Sequence, residues 1–150
     1  PATVLERSTV FGAVAVHTLE AARDTIFTAN VMVQRQQLGF LCYCYVPEGS
    51  VTPQRFNCQP DSSLRGVDSS ARRSQITSRI QPSFTSAVYG EPGYAQLSVG
   101  CPDEIKAGAE DGSEMGVFHH LRQPQRVARL VTVLDEYLRH GLEVGVIYAS

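Results

Sequence analysis

A chain of 150 residues makes one medium domain or two small ones, and a 43% hydrophobic composition supplies a real core. A net charge of -2 gives no electrostatic case for nucleic acid as a partner. No run of about 20 apolar residues exists, so the sequence predicts no membrane insertion. No signal peptide opens the chain, and Pro1 to Leu5 begins in mid-pattern without an initiator methionine. The expectation is a fragment of a longer protein.

Val4 to Val46 carries three apolar runs, STVFGAVAV, DTIFTANVMV and LGFLCYCYV. Thr9, Val10 and Phe11 recur as Thr25, Ile26 and Phe27, and Val14, Ala15 and Val16 recur as Val31, Met32 and Val33. The interval is about 16–17 residues, with His17 to Asp24 and Gln34 to Gln37 as polar corners. Such spacing predicts the coils of a β-solenoid, each burying its inward side chains on the next. An antiparallel three-stranded meander is the other architecture with this spacing. Alternation places Phe40, Cys42, Cys44 and Val46 on one face and Leu41, Tyr43 and Tyr45 on the other. A strand that is apolar on both faces is covered on both, which favours a solenoid packed on a second layer. The tyrosine face is expected to meet the remainder of the chain.

Pro47, Gly49 and Pro53 end the strand series. Residues 47 to 63 are turn-rich, and Ser63 is placed to cap a short helix carrying Leu64 and Val67. Arg65, Arg72, Arg73 and Arg79 concentrate basic charge, but without the interleaved aromatics of a nucleic-acid site. They read as a solvated helix face. Phe84–Tyr89 and Tyr94–Val99 read as a hairpin around Gly90, Glu91, Pro92 and Gly93. Tyr89 and Tyr94 flank its turn as a cross-strand aromatic pair or a ligand-stacking pair. Pro102, Asp103 and Glu104 open a short helix, limited by Gly108 and Gly112.

The last helix runs from Pro124 to Gly141. Val127, Leu130, Val131, Leu134, Tyr137 and Leu138 form an apolar stripe, and Asp135 can pair with Arg139 on the outer side. An apolar strand, Leu142 to Ala149, follows. This tail is expected to cover the second face of the strand-rich half.

Candidate chemistry is sparse. Cys42, Cys44, Cys58 and Cys101 provide four thiols, but a zinc site draws two ligands from a tight C-x-x-C turn, which is absent. They read as small core residues, reduced in a cytosolic product. Cys58 and Cys101 are the candidates for a disulfide should the protein be secreted. His119 and His120 follow Glu110, Asp111 and Glu114, but adjacent residues rarely aim both rings at one metal. No nucleophile motif, phosphate-binding loop or dinucleotide fingerprint is present. Some solenoids cleave glycans with paired carboxylates, but here Glu6, Glu20 and Asp24 fall at expected corners. No catalytic residue, metal ligand or cofactor is assigned, and a non-enzymatic reading is favoured.

The solenoid start, together with YVPEGSVTPQRFNCQPD, SFTSAVYGEPGYAQLSVGCPDEI and GAEDGSEMGVFHHLRQPQR, resembles the C-terminal part of bacterial β-solenoid proteins associated with gene clusters for phage-tail-like contractile injection systems. The resemblance spans most of the chain and carries over no activity and no site residue. It implies a structural or adaptor component of a large assembly, in the cytoplasm or in a released particle, with other protein subunits as partners. The expected fold is mainly β with α: short solenoid coils over 1–46, packed on a small α+β cap over 47–150. A carbohydrate-binding or carbohydrate-cleaving solenoid module is the alternative, with a glycan as ligand.

Overall fold

The computed structural model describes residues 2–138, 141, 142 and 145. It is a β-solenoid of about three turns carrying a cap of loops and short helices. The first coil contains β1 (Ala2–Glu6), β2 (Thr9–Val10) and β3 (Val14–Val16). The second contains β4 (Thr18–Arg23), β5 (Ile26–Phe27) and β6 (Val31–Val33). The third has β7 (Phe40–Cys42), then single bridges at Tyr45 and Val51. All of these pairings are parallel, which distinguishes the solenoid from a meander: β1, β4, β7 and then β8 (Gln54–Phe56) line one face. The coils therefore continue past residue 46, through Gln59, which bridges to Tyr45.

Val14 pairs with Val31, as the repeat predicts. On the neighbouring face the register is one residue off the sequence expectation, because Thr9 pairs with Ile26 and Val10 with Phe27. The interval was expected to be polar at His17 to Asp24. Instead it holds β4, the longest strand of the solenoid. The buried residues of β4, Leu19 and Ala22, are three apart because its pairing with β1 shifts register between Thr3 and Val4. Such an irregularity destroys the period-2 pattern by which a strand is recognised.

A single corner explains the stacking. Arg7, Asp24, Tyr43 and Asn57 all adopt left-handed backbone, with φ of 47°, 47°, 51° and 49°. Each follows a strand of the first face, and the N–H groups of Arg7, Asp24 and Tyr43 donate to the carbonyls of Arg23, Cys42 and Phe56 on the next coil. Left-handed backbone is uncommon for non-glycine residues and costs about 1–2 kcal/mol. The next residue braces it. Ser8 and Thr25 donate their hydroxyls, and Cys44 and Cys58 their thiols, to the carbonyls of Glu6, Arg23, Cys42 and Phe56, two residues back.

The left-handed corner at Tyr43 also breaks the alternation assumed for FLCYCYV. Leu41, Cys44 and Val46 all point inward, while Cys42 is only partly buried and Tyr45 faces the cap. The interior contains Leu19, Phe27, Val31, Val33, Leu41 and Val46, with Leu5, Val10, Val14 and Val16 of the first coil half-buried against them. Gly39 admits the closest approach between coils: a Cβ there would lie 1.9 Å from the Leu19 carbonyl oxygen.

In the cap, turns span residues 60–66, where a short helix was expected. The basic stretch forms α1 (Ser70–Arg79), with no buried residue, in keeping with a solvated face. The expected hairpin is irregular. It has bridges at Phe84–Leu97 and Ser86–Tyr94 but no continuous strands. Then come α2 (Asp103–Lys106), a 3-10 turn at His119–Leu121, and α3 (Gln123–Tyr137). A second core joins the cap to the solenoid: Ile26 and Tyr45 from the coils meet Ile80, Cys101, Ile105 and Met115. The tyrosine expectation holds at Tyr45.

The last helix forms where expected, but it does not cover the solenoid. No residue of α3 is buried, and Leu130 and Leu134 are 47% and 36% exposed. The covering surface comes from loops and α2, which approach through Ile80, Ile105 and Met115. The strand expected over 142–149 lies largely outside the described residues.

Candidate functional site

The corner ladder delivers Asp24 to the seam between solenoid and cap. Its carboxylate Oδ1 accepts the Glu110 N–H at 3.0 Å, and its backbone carbonyl accepts the Gly116 N–H at 2.8 Å. Gly116 has φ +95°, and a Cβ on it would meet Thr9 Oγ1 at 2.5 Å, so the cap backbone lies directly on the second solenoid face. Val117 N–H donates to the same Thr9 hydroxyl.

His119 stands between two carboxylates. Its Nε2 is 3.2 Å from Asp111 Oδ1 and 3.8 Å from Asp24 Oδ2. Asp111 Oδ1 also accepts the Ser113 N–H at 2.9 Å, and Gln125 Nε2 donates to the Asp111 carbonyl and to Ser113 Oγ. Burial opposes ionisation of Asp111, but the hydrogen bonds from Ser113 and the charges of His119 and Arg122 prevail and hold its carboxyl below the usual range.

Asp24, Ser113 and His119 are buried, and Gln125, rather than His119, engages the Ser113 hydroxyl. A histidine that acts as a general base must reach the proton it abstracts. Here the ring nitrogen is directed at two carboxylates inside the seam. The arrangement is a polar lock that satisfies a buried corner.

The sequence-predicted residues fall into separate places. His119 meets Asp111 of the preceding acidic stretch, whereas His120 is exposed, with Nδ1 donating to the Val117 carbonyl, so the two rings do not converge. Glu110 contributes its backbone N–H to the seam, while Glu114 is directed into a cleft of the cap. The sequence puts Asp24, the central residue, at a corner without a role; its signal is a short acceptor directly before the brace residue Thr25.

The four cysteines do not converge. Cys44 and Cys58 are neighbours in the corner ladder, Cys42 lies on the opposite side of the Tyr43 corner, and Cys101 belongs to the second core. All four are free thiols. The disulfide considered between Cys58 and Cys101 is not formed, because the two lie in different cores. Contact with Cys58 and then burial push the Cys44 thiol up, while burial raises Cys42 and Cys101. Cys44 and Cys58 serve at the corners of the later coils as Ser8 and Thr25 do at the earlier ones.

On the surface, Arg79 of α1 pairs with Glu104 of α2, and that hydrogen bond, opposed by burial, holds the Glu104 carboxyl low. Tyr89 is 88% exposed and meets Tyr94 edge-on at a centroid distance of 5.5 Å. Tyr94 in turn lies 5.3 Å from Phe11, which joins the hairpin to the solenoid.

No protein-family model, curated protein or solved structure matches the chain. Among the described residues no helix is long and apolar enough to cross a membrane.

Proposed function

We propose that the chain is a non-enzymatic structural or adaptor module of a large phage-tail-like assembly, with other protein subunits as partners, in the cytoplasm or in a released particle. One observation carries the structural part of this reading. The first coil leaves Leu5, Val10, Val14 and Val16 only half-buried, although the equivalent positions of the second coil are closed. Among the described residues nothing pairs with the outer edge of β1, and a coil edge with apolar inward residues and free backbone is the surface on which another coil stacks by the same parallel ladder. The polar seam at His119 supports the non-enzymatic part, since its reactive atoms are directed at one another. The phage-tail-like setting is supported only by the resemblance in sequence.

The test is fractionation of the full-length protein, tagged in the Gly90–Gly93 turn, with its native gene neighbours expressed. Recovery in a high-molecular-weight particle at subunit stoichiometry supports the reading. Recovery only as a free protein, with the neighbours assembled without it, rejects it. The exposed Tyr89 favours a second reading, a glycan-binding module, because aromatic faces stack on sugar rings. Glycan-array binding that is lost in Tyr89→Ala would favour it over the first.

A further inference from the structure

The cap contains a cleft of about 360 Å³ between the Gln96–Val99 segment, α2, the 3-10 turn and the first turn of α3. Its size falls within the range of small-molecule sites. Leu97, Val99, Phe118, Leu121 and Val127 supply apolar walls. Glu114 also lines it. That residue is only 6% exposed, yet among the described residues its carboxyl forms no hydrogen bond and no ion pair. Its carboxyl oxygens keep contact with the cleft, because among the described residues only Thr77 Oγ1 is a fully buried side-chain polar atom without a partner, and a carboxyl so placed is open to a donor that enters the cleft. Burial accordingly pushes the Glu114 carboxyl up, with His120 the opposing charge.

We propose that the cleft binds a primary amine carried on an apolar stem, with Glu114 as its counter-charge. An ammonium supplies three donors and a positive charge at hydrogen-bond distance, which none of the described residues gives this carboxyl. The stem lies against Phe118, Leu121 and Val127. The resident cation cannot fill this role. Lys106 at the rim is held by Asp103 at 3.2 Å and donates to the Val99 carbonyl at 3.1 Å. An anionic ligand of the same shape is repelled by Glu114, and a neutral alcohol provides one donor and no charge.

The same chemistry occurs in a free arylalkylamine and in a lysine side chain of a protein partner. Titration of the protein with phenethylamine, N-acetyl-lysinamide, 2-phenylethanol and 3-phenylpropionate, followed by calorimetry or amide chemical shifts, tests the assignment. One of the two amines should saturate at least tenfold tighter than the alcohol and the carboxylate. Tighter phenethylamine binding assigns the cleft to free amines; tighter N-acetyl-lysinamide binding assigns it to a partner's lysine. Glu114→Gln should weaken the amine at least tenfold. Val99→Trp, at an exposed position on the wall, should block the cleft without changing the melt. Failure of both amines to saturate overturns the proposal, as does a carboxylate that binds equally well. So does unchanged amine affinity in both variants, and should Glu114→Gln fail to fold, Val99→Trp decides alone.

Discussion

Two regions carry apolar patterns of similar regularity and meet opposite fates. In the coils, Phe27, Val31, Leu41 and Val46 are fully enclosed. In α3, the stripe through Leu130 and Leu134 remains open, and Tyr137 is 83% exposed. The difference lies in where the complementary surface comes from. A solenoid coil brings its own partner, since the next coil repeats the same inward positions a short distance along the chain. A single amphipathic helix must find a surface elsewhere, and here Ile80, Ile105 and Met115 already occupy the solenoid face that α3 was expected to cover.

The largest test of this contrast is Leu41→Asp. It places an unpaired carboxylate in the closed interior, and a domain of this size has only about 5–15 kcal/mol of stability to lose. No cooperative melt should remain by circular dichroism. A native-like melt would mean the coil interior is open to water.

Gly116→Ala probes the seam instead of the interior. Its methyl meets Thr9 Oγ1, and its backbone stays left-handed, a strain of about 1–3 kcal/mol. Hydrogen exchange should accelerate at Ile105 and Met115 and leave Val31 and Leu41 unchanged. Equal acceleration in both sets would show that cap and coils open as one unit.

A smaller effect is expected at the corner brace. Cys44→Ser keeps a donor for the Cys42 carbonyl, as Thr25 does for Arg23, whereas Cys44→Ala removes it. The alanine variant should be less stable than the serine variant by about 0.5–1.5 kcal/mol in urea unfolding. Equal midpoints would remove the brace from the account of the cysteines.

The smallest effect is expected for Leu134→Asp. Exposed on α3, it should change stability by no more than about 0.5 kcal/mol. Thermal unfolding beside the parent decides. Loss of the folded state would restore the terminal helix as a cover and erase the contrast with Leu41.

Coil periodicity was legible because Val14–Val16 and Val31–Val33 repeat at an interval that parallel stacking preserves. It was misread by one residue at Thr9 and Thr25, where both residues offer a threonine but the pairing joins Thr9 to Ile26. The corner was hidden by residue type. Glycine usually marks left-handed backbone, but here Arg7, Asp24, Tyr43 and Asn57 adopt it, the first three held by hydrogen bonds to the adjacent coil and all four by the brace that follows. Of the seam, the sequence showed only that His119 follows an acidic stretch, not that it pairs with Asp111. The arrival of Asp24 from a distant coil was not visible.

Local pattern by itself determined the solenoid repeat, the start of α2 and the presence of α3, because each depends on neighbours in sequence: inward positions recurring from coil to coil, a proline with first-turn carboxylates, a stripe of helical period. Tertiary structure alone decided which faces became interior. Burial depends on which surface arrives first, so loops through Ile80, Ile105 and Met115 closed the second face of the solenoid. Among the described residues, the same competition left Glu114 facing a cleft without a side-chain partner and α3 without a cover.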